Sequence, residues 1–162
     1  MIEVKKLPNT KWEDYKNLRL EALRKDSTAF SSSYEEEKNL PESEWKKRTK
    51  NILFALSNGE PIGMIACVFN KRRKIRHIAN IFGFYVKESY RNQGVGNKLI
   101  ESALSLIKKN KGIIKIDLTA NPKRKAAVKL YKKFGFKVVG KLRKDLFVNR
   151  TFYDELIMEK FI

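Results

Sequence analysis

Residues Ile81–Ile100 read IFGFYVKESYRNQGVGNKLI, and the fold turns on how this stretch is parsed. β-Branched and aromatic residues through Val86 make its first part a buried strand. Val95, Leu99, Ala103 and the Leu106–Ile107 pair recur at helical spacing with lysines and glutamate between them, so its last part opens an amphipathic helix. Between the two lies a polar turn, Arg91-x-x-Gly94-x-Gly96. Glycine there lets the backbone approach a partner closely and adopt positive φ angles. The unpaired N–H groups of the helix start, with the positive end of the helix dipole behind them, point into the same space. Such a turn suits a diphosphate. It is neither of the glycine-rich nucleotide fingerprints: there is no G-x-x-x-x-G-K-[ST], and the spacing is not G-x-G-x-x-G. A glycine pair between strand and helix also serves as a plain tight connection. On this stretch alone both readings stand.

A second block decides between them. Residues Ile116–Phe136 read IDLTANPKRKAAVKLYKKFGF, a strand, then Asn121-Pro122, then a helix carrying Ala126, Leu130 and Tyr131 before Gly135-Phe136. In this order and at this separation the two blocks resemble the GNAT superfamily of acyl-CoA-dependent N-acetyltransferases, closely over residues 52–140 and in outline beyond. The resemblance makes Arg91–Gly96 the pyrophosphate loop, with Arg91, Asn92, Gln93, Gly94, Val95, Gly96 and Asn97 as cofactor-binding residues. It also implies that two parallel strands splay open and that the pantetheine arm of acetyl-CoA pairs with the strand backbone, which by position is Phe84, Tyr85 and Val86.

Composition is compatible with this. A chain of 162 residues with 42% apolar residues is long enough for one domain with a real core. No run is apolar for long enough to span a bilayer, and the N-terminal Ile2-Glu-Val-Lys lacks the apolar core of a signal peptide. The lone Cys67 excludes an internal disulfide, reads as a buried structural thiol, and with the missing leader suggests a cytoplasmic protein. One histidine and one cysteine argue against a zinc site, so no metal is expected. The balance of 36 Lys+Arg against 18 Asp+Glu gives a net charge of +18. Such a surface attracts RNA or DNA. The lysines are scattered, however, with local clusters only at Lys71–Lys74, Lys108–Lys109 and Lys123–Lys125, and most read as solvated surface. A homodimer is left open.

In chain order, residues 2–6 alternate as a strand. Asn9-Thr10 opens a helix that runs to about Arg24 on Trp12, Tyr15, Leu18, Ala22 and Leu23. Small polar residues break the pattern around Phe30 and Tyr34, Glu35–Glu37 follow, and Pro41 starts another short helix. Ile52–Leu56 and Pro61–Phe69 form a hairpin about Asn58-Gly59, and His77–Val86 returns from a tip at Lys71–Lys74. Ile113–Thr119 is a strand, Pro122–Phe134 a helix with Ala127, Leu130 and Phe134 toward the sheet, and the chain closes with strands at Phe136–Leu142 and Phe152–Lys160 joined by a Lys144–Arg150 connection. The order predicts an α/β fold, a mixed central sheet with helices on both faces, which is also the GNAT layout.

For amine attack on a thioester, the donor must be positioned, its carbonyl oxygen held, the amine kept neutral and the departing thiolate protonated. The resemblance makes Tyr131 the thiolate-protonating acid; by periodicity alone it is a core aromatic. The resemblance also implies that a strand N–H, at Tyr85 or Val86, holds the carbonyl oxygen. Asn121 is either a helix N-cap or a contact of the pantetheine arm, and both roles are compatible. Where relatives carry a glutamate base, Asn80 stands and cannot accept a proton. For the base, His77, a water relay or one of Glu35–Glu37 stays open, whereas Tyr153–Glu155 is only a weaker candidate for lining the acceptor side. Phe30, Tyr34, Glu35 and Asn80 are expected to line the acceptor side. Three functions follow: acetyl transfer to a small amine or polyamine, acetyl transfer to a protein N-terminus, or an RNA- or ribosome-associated binding module on the same fold.

Overall fold

The computed structural model describes residues 1–162. Its elements in chain order are β1 (Ile2–Lys5), α1 (Trp12–Lys25), α2 (Tyr34–Glu37), α3 (Glu42–Thr49), β2 (Ile52–Ser57), β3 (Glu60–Phe69), β4 (Ile78–Val86), α4 (Val95–Lys108), β5 (Lys115–Ala120), α5 (Lys125–Lys133), β6 (Lys137–Val148) and β7 (Thr151–Phe161). One seven-stranded sheet has the order β1-β2-β3-β4-β5-β7-β6. Every neighbouring pair is antiparallel except β4–β5.

Sheet faces explain the helices. β2 and β3 are buried along almost their whole length, since both of their faces are covered. On one face α4 lays down Val95, Leu99, Ile100, Ala103, Leu104 and Ile107 against a core that includes Leu53, Ile65, Ile81 and Ile116. On the other, α1 and α3 bring Tyr15, Leu18, Ala22 and Trp45 onto Phe54, Met64 and Tyr85. Cys67 belongs to the α4-side core, and burial pushes its thiol up to about 11, so it is a packing residue.

The feature that positions the site is a split in the sheet. β4 and β5 pair only at Ile78–Asn80 with Lys115–Asp117. Past this point β5 continues along β7, whereas β4 continues along β3 alone. A bulge in the β3–β4 register deepens the divergence: Ala66 faces Phe82 but Met64 faces Tyr85, and Gly83 takes up the extra residue at φ 57°. The two parallel strands therefore part, and each leads into the start of a helix: β4 through the glycine turn into α4, and β5 into α5.

Two expectations need correction. Lys144–Arg150 is not the connection between the last strands; β6 runs on to Val148, and Asn149 and Arg150, at φ 48° and 61°, make the turn by themselves. The sequence hides this because β6 is an edge strand whose register slips between Leu142 and Leu146, with Lys144 at φ 53°, so its charged outer residues look like loop. The helix expected from Pro122 begins at Lys125 after a turn, and its fully buried residues are Val128 and Tyr131, with Ala127, Leu130 and Phe134 half-buried beside them.

Candidate active site

A cavity of about 790 Å³ fills the split. One wall is β4 from Ile81 to Val86, the other is Thr119–Asn121 with α5, the floor is the start of α4, and the far end is closed by α1, Phe30 and the β6–β7 hairpin. Its size is ordinary for an organic ligand.

The floor meets the requirements of an anion site. Asn92 and Gly94 are left-handed at φ 61° and 79°, which bends the backbone into a concave turn. The first N–H of the helix with an intrahelical acceptor is that of Lys98, to the Gly94 carbonyl at 3.1 Å. The earlier N–H groups therefore remain for a ligand, as no side chain caps this end and no acidic residue lies in its first turn. A Cβ at Gly94 would project into open space, whereas one at Gly96 would lie 3.1 Å from Leu130 and 3.2 Å from Phe84. Gly94 keeps the approach clear, and Gly96 lets α4 seat against α5. Gln93 is engaged locally, donating to the Ser89 carbonyl at 2.8 Å, and Asn97 accepts from Lys133 Nζ at 2.7 Å.

Arg91 braces the turn. Its Nε donates to the Val86 carbonyl and its guanidinium to Asp26 Oδ2, both at 2.9 Å, while Arg124 reaches the same oxygen at 2.8 Å. Asp26, just past α1, thus ties the phosphate-type turn to the head of α5. No sequence feature marks Asp26 for this.

On the β4 wall, the Lys87 N–H donates to Ile62 of β3 at 2.8 Å. Alternation along a strand then turns the Val86 N–H to the open side, where the Val86 carbonyl already meets Arg91. The Tyr85 side chain faces the other way, into the α1-side core, where its hydroxyl donates to Glu21 at 2.9 Å and burial, reinforced by Glu21, raises its pKa.

Tyr131 stands on the opposite wall, its ring between Phe84 at 5.9 Å and Phe136 at 6.0 Å. Burial holds its phenol above the ordinary value; Arg124 opposes that and Glu155 adds to it. It is therefore a neutral donor at physiological pH. Asn121 is buried, accepts from the Lys123 N–H at 3.0 Å and donates to the Thr28 carbonyl at 3.2 Å. It builds the turn before α5 and pins the α1–α2 connection, and it is not the cap of the helix itself.

At the far end the structure brings in Phe30 but leaves Tyr34, Glu35 and Asn80 off the cavity lining. Tyr34 packs under Arg24, Glu35 pairs with Lys38, and Asn80 accepts from Asn70 at 2.9 Å. Glu37 and Glu155, which the sequence offered only among their acidic neighbours, take their place, together with Asp145, which it did not single out. Glu37, the last of the acidic run, is buried and held by Arg19 Nε at 3.0 Å and Arg48 at 3.1 Å. Burial pushes its carboxyl up, but the two arginines outweigh that and keep it below the usual range. Asp145 and Glu155 enter from the β6–β7 hairpin. No group of three or more His, Cys, Asp or Glu could hold a metal ion, and no helix is long and apolar enough to cross a membrane.

The model of the Acetyltransferase (GNAT) family matches residues 12–136, which is most of the chain and includes both walls of this cavity. The chain belongs to the GNAT acetyltransferase family. It is 33% identical over 93 residues to an uncharacterized N-acetyltransferase of Methanocaldococcus jannaschii, a stretch covering 56% of this chain and 41% of that one. It is 27% identical over 108 residues to an L-amino acid N-acetyltransferase of Escherichia coli, covering 67% and 66%. The matches thus span less than two thirds of either relative. A GNAT acetyltransferase structure from Streptococcus pneumoniae superposes with a TM-score of 0.89 at 23% identity, over all of both chains. A putative acetyltransferase from Salmonella typhimurium, solved with its cofactor acetyl-CoA, superposes at 0.84 with 13% identity, covering 99% and 94%. The GNAT fold is shared along essentially the whole chain.

Proposed function

We propose that this GNAT protein is an N-acetyltransferase that moves the acetyl group of acetyl-CoA to a primary amine by direct attack. The observation that carries this is the split between β4 and β5, which ends on the uncapped, acid-free N-terminus of α4. An extended thiol-bearing arm fits the split, and a diphosphate fits the helix start.

In this reading the N–H groups across Asn92–Asn97 hold the diphosphate and Arg91 keeps their turn in place. The open-side backbone of Phe84–Val86 receives the pantetheine arm, and the Val86 N–H is the best-placed donor for the thioester oxygen. Asn121 has one amide hydrogen left for the arm after its bond to Thr28. Tyr131 donates its proton to the departing thiolate. The amine enters from the end lined by Phe30, Arg19, Phe82 and the β6–β7 hairpin. The E. coli relative acts on L-amino acids by its name, so free amino acids, together with a polyamine and a peptide with a free N-terminus, are the acceptor classes to try.

The test is the melting temperature with and without acetyl-CoA, with polyphosphate as control. At a hundred times its dissociation constant a ligand stabilises by about 2.7 kcal/mol, a shift of several degrees for a domain of this size. A shift with acetyl-CoA and little with polyphosphate is expected. Equal shifts would show that only the positive charge is being read.

A further inference from the structure

An amine that is an ammonium at neutral pH must lose a proton before it can attack, and the β4 position that could supply a base holds Asn80, turned away to Asn70. Four carboxylates line the cavity: Asp26, Glu37, Asp145 and Glu155. Asp26 is held by Arg91 and Arg124, and Glu37 by Arg19 and Arg48. Both are fixed counter-charges. Asp145 is exposed on β6. Glu155 is 7% exposed, lies in no ion pair and lines the cavity, with Thr119 as the side chain that bonds its carboxyl.

From this elimination we infer that Glu155 is the general base of the transfer, taking the proton from the incoming ammonium. The inference rests on the acetyltransferase reading above. β7 delivers Glu155 one residue before Leu156, which pairs with Ala120 at the cavity wall. It is therefore placed among Thr119 of β5, Asp145 of β6 and Tyr131 of α5, with Arg124 at the head of α5 as the cation on that side. Burial, supported by the negative charge of Asp145 and opposed by Thr119, pushes the carboxyl up to about 7. A base with that value is half ionised at neutral pH and strong enough to accept an ammonium proton transiently.

The step balances. One ammonium proton passes to Glu155, and the freed lone pair forms the C–N bond as the C–S bond breaks and sulfur keeps that electron pair. Tyr131 gives its proton to sulfur. The surplus proton on nitrogen returns through water to the Tyr131 oxygen, and Glu155 releases its own to solvent. The products are the amide, free CoA thiol and one proton.

The test uses Glu155→Gln beside the wild type. Carbon-13 NMR of labelled glutamate carboxyls in the free protein is expected to show one resonance, absent from the variant, titrating near 7. Because this folded-state value lies above that of the unfolded chain, the wild type holds full stability below about pH 4.5 and loses it as pH rises toward 7. E155Q does not, so its melting temperature should exceed the wild type's at pH 8 and match it at pH 4. Two probe acceptors separate a base from a structural residue: butylamine, charged at neutral pH, and hydroxylamine, neutral there. Release of CoA thiol with butylamine should fall about a hundredfold or more in E155Q while release with hydroxylamine is spared. Titration in the ordinary carboxylate range, or an equal loss with both acceptors, overturns the assignment. Acetyl-CoA must raise the melting temperature of wild type and E155Q alike; loss of that shift in both would instead sink the acetyltransferase reading.

Discussion

At the scale of single residues, Tyr131 belongs to the core and to the cavity wall at once, and its proposed role as acid can be separated from its packing. It belongs to the α4-side core through Phe84 and Phe136, yet it also lines the cavity. Removing only its hydroxyl should leave the packing intact. Tyr131→Phe is therefore expected to keep the acetyl-CoA melting shift while turnover falls about 10²- to 10⁴-fold, the usual contribution of a positioned acid. Steady-state rates of thiol release, paired with the melting shift, check this; unchanged turnover would return Tyr131 to a packing role. Its place on the cavity wall was legible in the sequence because Leu130-Tyr131 and Gly135-Phe136 sit at a recognisable distance from Arg91–Gly96. Glu155 was only faintly legible. Nothing in the order Tyr153-Asp154-Glu155 says that Glu155 alone turns inward, since that depends on the register of β7 against β5 and β6.

At the scale of elements, the helices and the inner strands could be read from periodicity, but what joins them could not. Arg19 of α1, Glu37 of α2 and Arg48 of α3 meet although 18 and 11 positions separate the glutamate from its partners, and no local pattern encodes that meeting. The same blindness applies to Asp26, which brings Arg91 and Arg124 together, and to β6, whose exposed face imitates a loop. The Arg19–Glu37–Arg48 cluster binds three helices around one buried carboxylate, so Glu37→Gln should destabilise the fold. Breaking a buried pair costs roughly 3–5 kcal/mol, and the partial exposure of Arg48 places the loss toward the lower end. Glu37 is held below its unfolded value of 4.5, so its contribution is present above that pH and disappears as pH falls through the folded value. Urea unfolding at pH 7 should show the full gap between wild type and variant, and at pH 3.5 the gap should shrink. A gap that stays constant would assign the loss to shape rather than charge.

At the scale of the whole molecule, the net charge of +18 sits on a fold whose cavity needs only a few positive groups. Ion pairs leave that net value unchanged, and the exposed clusters at Lys71–Lys74 and along Lys108–Lys111 have no acidic partner among the salt bridges. Like charges at that density repel one another in the compact state, and added salt screens them over about 10 Å at 0.1 M. Three consequences separate an enzyme with a solvated basic surface from a nucleic-acid module. If the charge is plain surface, the melting temperature should rise by a few degrees between low salt and 0.3 M sodium chloride, because relief of self-repulsion exceeds the weakening of exposed pairs. The acetyl-CoA shift should survive that change if, as proposed, backbone N–H groups and the β4 edge carry most of it. Binding to a mixed-sequence RNA should collapse over the same range, with a slope set by the phosphates neutralised. RNA affinity that persists at 0.3 M salt, beside an acetyl-CoA shift that vanishes, would turn the order around and make the basic surface the functional one.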